Sequence, residues 1–172
     1  MPSVLWQWQG IVVEGRESSI TSPADGDLAR VAGEVLAQVG EGEALCFLAY
    51  LPSSDALDAE FRNLRAAIRD ARTVATSHGF GPRYLHSTGQ MHKGGPDRMV
   101  FVLLTADRPL GVAVPGMGVT FNLLQRAQAI GDLQALLALG RRAYNFHLEA
   151  TDRLPAWFAA FRDACSSLSH GS

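Results

Sequence analysis

The chain is expected to fold as a three-layer α/β/α sandwich around a mostly parallel sheet, and three observations predict it. Short β-type runs alternate with longer amphipathic runs of helical period along the sequence. Two of the β-type runs, Ala44–Leu51 (ALCFLAYL) and Met99–Leu104 (MVFVLL), are nearly unbroken in apolar side chains. That is the composition of a strand covered on both faces, whereas a strand with one wet face alternates. Finally, 172 residues at 47% hydrophobic supply an ample core without disulfide staples. No long linker, repeat or low-complexity segment divides the chain, so residues 1–172 are expected to form one domain.

The elements follow in order. Val4–Val13 opens as a strand in which Trp6 and Trp8 alternate with Gln7 and Gln9 and so share one side. Its polar alternation and terminal position suit an edge strand. A tryptophan side left uncovered would be a partner surface, with a homodimer as one occupant. Ser22-Pro23-Ala24-Asp25 has the chemistry of a helix start. Leu28, Val31, Ala32, Val35 and Val39 then lie on one face, and Gly40 supplies a stop.

The run Ala44–Leu51 is the first central strand. Ser53 or Ser54 caps a second helix striped by Leu57, Phe61, Leu64 and Ile68. Thr73–Thr76 reads as a short strand leading into a polar loop, and Met99–Leu104 as the second central strand. Phe121–Ala129 and Gly131–Leu139 are helical with an interruption at Gly131. Ala143–Leu148 gives a last, alternating strand, and Leu154–Leu168 a last helix with Pro155 in its first turn.

Charge and composition narrow the function. Fifteen Lys and Arg against seventeen Asp and Glu leave a net charge of −2, so there is no basic footprint for nucleic acid. No apolar stretch approaches membrane-spanning length, and the N-terminus lacks the pattern of a signal peptide. Cys46 and Cys165 are far apart and match no metal spacing, and Cys46 lies inside an apolar run. A soluble, cytoplasmic protein in a reducing setting is the expectation. No cofactor is implied.

Lys93 is the chain's one lysine, and it sits in the densest polar stretch, Gly81–Pro96 (GPRYLHSTGQMHKGGP). Arg83, Ser87, Thr88, Gln90 and Lys93 offer donors for a phosphate or other substrate group, and His86 and His92 offer imidazoles for proton transfer. Following a parallel strand, this loop falls at the carboxyl edge of the sheet, where such folds bind ligands. If His86 or Ser87 caps a short helix, its free N–H groups face the same ligand. The plainer reading is a Gly/Pro-rich surface loop. A metal reading through His78, His86 and His92 finds no compact zinc spacing and no nearby thiol, so no metal ligand is assigned.

The stretch GFGPRYLHSTGQMHKGGP, with CFLAYLP before it and FNLLQRAQAIGDLQAL after it, resembles the C-terminal segment of bifunctional transaldolase–phosphoglucose isomerase fusions. Those proteins carry a GPRxLHSTGQLHKGGP stretch between an LAYLP-type strand and a RAQAxGDxxAL helix. The resemblance covers roughly Glu43 to Leu148, with Met91 in place of the usual leucine. It implies a fold related to sugar isomerase (SIS) domains, which are α/β/α sandwiches that hold phosphosugars through Ser/Thr-rich loops. It therefore implies a sugar phosphate as ligand.

The family's FDQ-type segment with its catalytic lysine, its glutamate base and its partner histidine have no counterpart here. The chain thus looks like the family's C-terminal domain standing alone, with an isomerase or transaldolase unit as implied partner. Nearby carboxylates are sparse: Asp70 and Asp97 flank the loop, and Glu60 lies on the preceding helix. Three readings stay open. One is a phosphosugar-binding domain of the glucose-6-phosphate isomerase type. Another is a complete small aldose–ketose isomerase with a histidine base, and the third is a structural or oligomerisation domain. Downstream, Gln125, Arg126, Gln128 and Asp132 sit on a mostly core-forming helix, where Gln125 or Arg126 can face the ligand if the helix start borders the loop. His147 reads as core-adjacent, and His170 lies in a Ser/Gly tail.

Overall fold

In a computed structural model that describes residues 2–16, 20–21, 26–108 and 111–169, the chain forms one six-stranded sheet with helices on both faces. In chain order the elements are β1 (Ser3–Trp8), β2 (Ile11–Gly15), α1 (Leu28–Ala37), β3 (Ala44–Tyr50), α2 (Asp55–Arg72), β4 (Ala75–Phe80), α3 (Thr88–Gly94), β5 (Met99–Ala106), α4 (Phe121–Ala138), β6 (Arg142–Leu148) and α5 (Leu154–Ser169). Short 3₁₀ turns at Arg83–His86 and Thr151–Arg153 precede α3 and α5. The strand order is β1-β2-β6-β5-β3-β4. β6, β5, β3 and β4 run parallel, and β1 and β2 add an antiparallel hairpin at one edge. This is the expected three-layer α/β/α architecture with a largely parallel sheet.

The two apolar runs are the central strands β3 and β5, each buried along nearly its whole length. Alternate residues go to opposite faces. Phe47, Ala49, Val102 and Leu104 join β6, α1, α2 and α5 in one apolar cluster. Leu48, Tyr50, Phe101 and Leu103 join Tyr84 and the α4 residues Ala129, Leu133 and Leu136 in the other. Ser54 caps α2, its Oγ accepting from the Leu57 N–H at 3.2 Å, and Phe61, Leu64 and Ile68 form the buried stripe.

Several boundaries differ from the sequence expectation, each for a local reason. Val4–Val13 is a hairpin rather than one strand. Gln9 and Gly10 both adopt positive φ (44° and 76°), the combination a tight two-residue turn between right-twisted strands requires. Trp6 is buried in the core, while Trp8 lies over Gly26 and stays 47% exposed. Helix α1 starts from Asp27, whose carboxylate accepts from the Ala29 and Arg30 N–H groups; the expected start at Ser22–Asp25 lies outside the described residues. It ends at Gln38, two residues before Gly40.

Thr73 is the left-handed C-cap of α2 rather than a strand residue, so β4 runs from Ala75 to Phe80. Gly131 does not interrupt α4, because the helical residues on both sides of a lone glycine outweigh its weak propensity of about 1 kcal/mol. Strand β6 is buried on both faces instead of alternating. His170 falls outside the described residues.

Candidate functional site

The polar motif leaves β4 at the carboxyl edge and returns across one face of the sheet as the 3₁₀ turn and α3. Its start is tied to the sheet by the Gly81 N–H, which donates to the Ala49 carbonyl at 2.8 Å. Gly81 lies so close to the Tyr50 ring that a Cβ there would stand 2.7 Å from it, which only glycine avoids.

The motif's side chains part company. His86, Ser87, Thr88 and Gln90 are exposed, whereas His92 is buried and Lys93 is half-buried. Ser87 is the N-cap of α3 without a side-chain cap; its hydroxyl donates to the Tyr84 carbonyl. His92 packs its ring against Phe101 and Tyr84 at centroid distances of 5.1 and 5.8 Å. Burial pushes its pKa below the usual histidine value; the Asp132 charge opposes this and the Lys93 charge adds to it. The imidazole is therefore neutral at physiological pH.

Lys93 does not stand open to a ligand: its ammonium lies 2.8 Å from Oδ1 of Asp132 on α4. That carboxylate is almost completely buried, and its other oxygen accepts from Tyr50 Oη at 3.1 Å and Tyr84 Oη at 2.8 Å. A buried carboxylate needs such donors, and desolvation keeps both phenols protonated by raising their pKa values. The expectation that the motif side chains from Arg83 to Lys93 line one concave site is corrected accordingly. His92 and Lys93 face the protein interior, where Asp132, far downstream in sequence, requires cations and hydroxyls around it.

The buried His92 Nδ1 has no hydrogen-bond partner among the described residues, whereas the third histidine near the motif, His78 on β4, is satisfied internally. Its Nε2 meets Asp58 at 2.7 Å, its Nδ1 meets Arg65 at 3.1 Å, and its ring stacks on Phe61. Among the described residues, no group of three His, Cys, Asp or Glu side chains is arranged to hold a metal ion.

A concave site does exist at the carboxyl edge, one strand further along. β5 leads out to α4 on one face, while its neighbours β3 and β6 lead to α2 and α5 on the other, so the crevices beside β5 are topological switch points. A cavity of about 550 Å³ opens there, lined by Asp107, Arg108, Asn122, Arg126 and Glu149 among others. A second, of about 360 Å³, lies toward β3 and is lined by Pro52, Pro82, Phe121, Gln125 and Gln128. Arg108 and Asn122 border both.

The guanidinium of Arg108 is anchored by Gln125, whose Oε1 accepts from Nη2 at 2.6 Å while its own Nε2 donates to the Gly81 carbonyl at 3.0 Å. Gln125 therefore couples the motif's first residue to the cleft. The Arg108 Nε is buried and has no hydrogen-bond partner among the described residues. Arg83, at the motif's start, donates to Ser53 Oγ at 3.2 Å.

Beneath the cleft runs a polar chain. Asp107 pairs with Arg126 at 2.7 Å and with His147 at 3.5 Å. His147 meets Thr105 at 3.0 Å, and Thr105 reaches Asn145 at 3.3 Å. Burial, and then the Arg126 charge, lower the His147 pKa. Arg108 and Asp107 were not singled out from the sequence. The signal was their place: they directly follow the second central strand, at the end where a parallel sheet presents its ligand site.

Compared with models of protein families and with curated proteins, the chain matches none. Twelve chains among solved structures match it. One is the crystal structure of hypothetical protein TT0462 from Thermus thermophilus, which superposes with a TM-score of 0.69 at 18% sequence identity. The alignment covers 86% of this chain and 40% of that one, so the chain spans about two fifths of that protein's length. At this identity the likeness concerns the fold. Among the described residues no helix is long and apolar enough to cross a membrane.

Proposed function

We propose that the chain is a sugar-phosphate-binding domain of the glucose-6-phosphate isomerase type, acting in the cytoplasm beside an isomerase or transaldolase unit that supplies the catalytic machinery. The observation that carries this reading is Arg108. It stands at a switch point and borders both carboxyl-edge cavities, its guanidinium oriented by Gln125. A phosphate is the partner such a cation suits, since guanidinium–phosphate pairs are charge-assisted and geometrically matched. Asn122, Gln125 and the Asp107–Arg126 pair are placed to meet hydroxyls beside it.

The resemblance of the motif to transaldolase–phosphoglucose isomerase fusions supplies the substrate class. In this reading the motif builds the cleft wall through Gly81, Pro82 and Arg83, and His86, Ser87, Thr88 and Gln90 meet the ligand's far end or the partner unit.

Calorimetric titration with glucose 6-phosphate and fructose 6-phosphate tests it. Arg108→Gln should weaken binding about ten- to a hundredfold, matching a lost charged hydrogen bond of about 1.5–3 kcal/mol, with little change in melting temperature. A coupled assay on the isolated chain should show no interconversion of the two sugars. Wild-type affinity in Arg108→Gln would remove the site from this cleft, and turnover above a contaminant-controlled background would replace the binding domain with a complete isomerase.

A further inference from the structure

The two long helices of the sandwich differ in what they show the solvent. α2 and α4 both have 18 residues, but α2 carries eight charged side chains and α4 two, Arg126 and Asp132. Both charges of α4 are engaged, Asp132 in the buried cluster and Arg126 with Asp107 at 2.7 Å. Helices α1, α2 and α5 share one face of the sheet, whereas α4 has the other with the short α3. On its outward side α4 exposes Leu123, Ala127, Ile130, Gly131, Gln134 and Ala138. At 3.6 residues per turn these fall within about 100° of arc. The arc has no charge and one polar residue, and Leu123 on it is 56% exposed. A helix covered on one side turns a polar face to water, as α2 does with Asp55, Arg62, Asn63, Arg69 and Asp70.

Gly131 is a second, independent observation. A Cβ added there would meet nothing within 4 Å, so no neighbour among the described residues calls for glycine in mid-helix. Glycine weakens its own helix, and the close approach of another backbone is a reason to keep one.

We propose that this arc is where two copies of the chain dock, α4 against α4, antiparallel about a two-fold axis between Ile130 and Gly131. In a two-fold interface residue i meets j and j meets i. About that axis Leu123 meets Ala138, Ala127 meets Gln134 and Ile130 meets Gly131. Each larger side chain of the arc thus faces a small one, a self-complementarity that fits a second copy rather than an unrelated partner. Having no charge, the arc also sets no like charges against each other.

Size agrees. A helix of 18 residues is about 27 Å long, and covering half its circumference removes roughly 500 Å² per copy. Val112 and Met117, exposed in the loop before α4, and Leu139, exposed at its far end, come to the same ends of an antiparallel pair. They extend the contact toward the roughly 800 Å² per partner of a standard interface. Leu123 also lines the larger carboxyl-edge cavity, so the second copy stands beside that cleft.

Equilibrium sedimentation at about 20 µM, above the micromolar-to-picomolar range in which standard interfaces dissociate, should give twice the 18.5 kDa chain mass. Gly131→Gln fills the hollow opposite Ile130 at two symmetry-related points and should raise the dissociation constant by about a hundredfold. Its Cβ is unobstructed and glutamine favours helix over glycine, so the far-UV circular dichroism should keep its helical signal. That separates a broken contact from a broken fold. Ile130→Glu should weaken the dimer in the same way, and Arg62→Gln, on the outward side of α2, should not. A single-chain mass for the wild type would overturn the proposal and leave the arc to an unrelated partner. So would a dimer that Gly131→Gln and Ile130→Glu leave intact; its loss in Trp8→Glu would move the contact to the edge hairpin. None of these outcomes involves a sugar phosphate, so the Arg108→Gln titration stands or falls separately.

Discussion

On one face of the sheet, Phe47, Phe61, Phe146, Trp157, Phe158 and Phe161 meet ring to ring, with centroid separations from 4.6 to 6.2 Å. On the other, Tyr50, Tyr84 and Lys93 converge on one buried carboxylate, Asp132, with His92 packed alongside. The first arrangement is held by area and fit, which are non-directional and tolerate small readjustments. The second depends on every donor being present, because a buried charge left short of partners is costly.

That difference explains the single lysine. A compact ammonium fits beside two phenols on one carboxylate, whereas a planar guanidinium would need room for its fork. Part of the motif's polar density therefore serves Asp132 rather than a ligand.

Emptying the aromatic face should have the largest effect. Trp157 is fully buried and touches Phe47, Phe61, Phe146, Phe158 and Phe161. Trp157→Ala should cost about 3–5 kcal/mol in urea denaturation. Its indole N–H has no hydrogen-bond partner among the described residues, so Trp157→Phe should cost far less, only the lost volume. A Trp157→Phe variant as unstable as Trp157→Ala would show that the indole nitrogen matters and that this face is less purely apolar than its contacts indicate.

Removing the clasp on the polar face comes next. Lys93→Ala should cost about 2 kcal/mol, below the roughly 3–5 kcal/mol of a fully buried pair because the ammonium is a third exposed and Asp132 keeps two phenols. The melting temperature should fall by about 4–8 °C. Lys93→Arg should recover part of this loss. The double variant Lys93→Met with Asp132→Asn should be less destabilised than the two single changes added together, a coupling of about 1–2 kcal/mol. Additive losses would mean that the ammonium and the carboxylate do not hold each other.

The same contrast marks what the sequence made legible. The apolar face was readable because its signal is local: ALCFLAYL and MVFVLL declare strands buried on both sides, and Ser54 with the Leu57–Ile68 stripe declares α2. The Gln9–Gly10 turn was hidden because glutamine rarely takes positive φ and the β-type pattern continues on both sides of it. The clasp was hidden for a different reason. Lys93 and Asp132 stand on separate helices, and no spacing rule links residues that only tertiary packing brings together. Arg108 was within reach, since its place at the end of a central strand is a local fact; a lone arginine is a fainter signal than the dense motif beside it.

The smallest effect lies at the rim where the two faces meet, and it separates charge from packing by pH. Glu43, just before β3, accepts two hydrogen bonds from Arg142 at the start of β6 and one from the Gly40 N–H at 2.8 Å. The Arg142 bonds above all, and then the Gly40 bond, hold its carboxyl at about 2, against a usual value near 4.5. The unfolded chain thus takes up this proton at a higher pH than the native protein does. The stabilisation is complete above about 4.5 and is lost as pH falls from there toward 2. The pair is partly exposed, so solvent screening limits it to about 1 kcal/mol at neutral pH. Glu43→Gln keeps the shape and part of the acceptor set but not the charge. Its deficit relative to wild type should therefore be about 1 kcal/mol at pH 7 and shrink to nothing near pH 2 in parallel denaturant series. A deficit that stays constant across that range would make Glu43 a packing residue, and the rim would then belong with the aromatic face rather than with the charged clasp around Asp132.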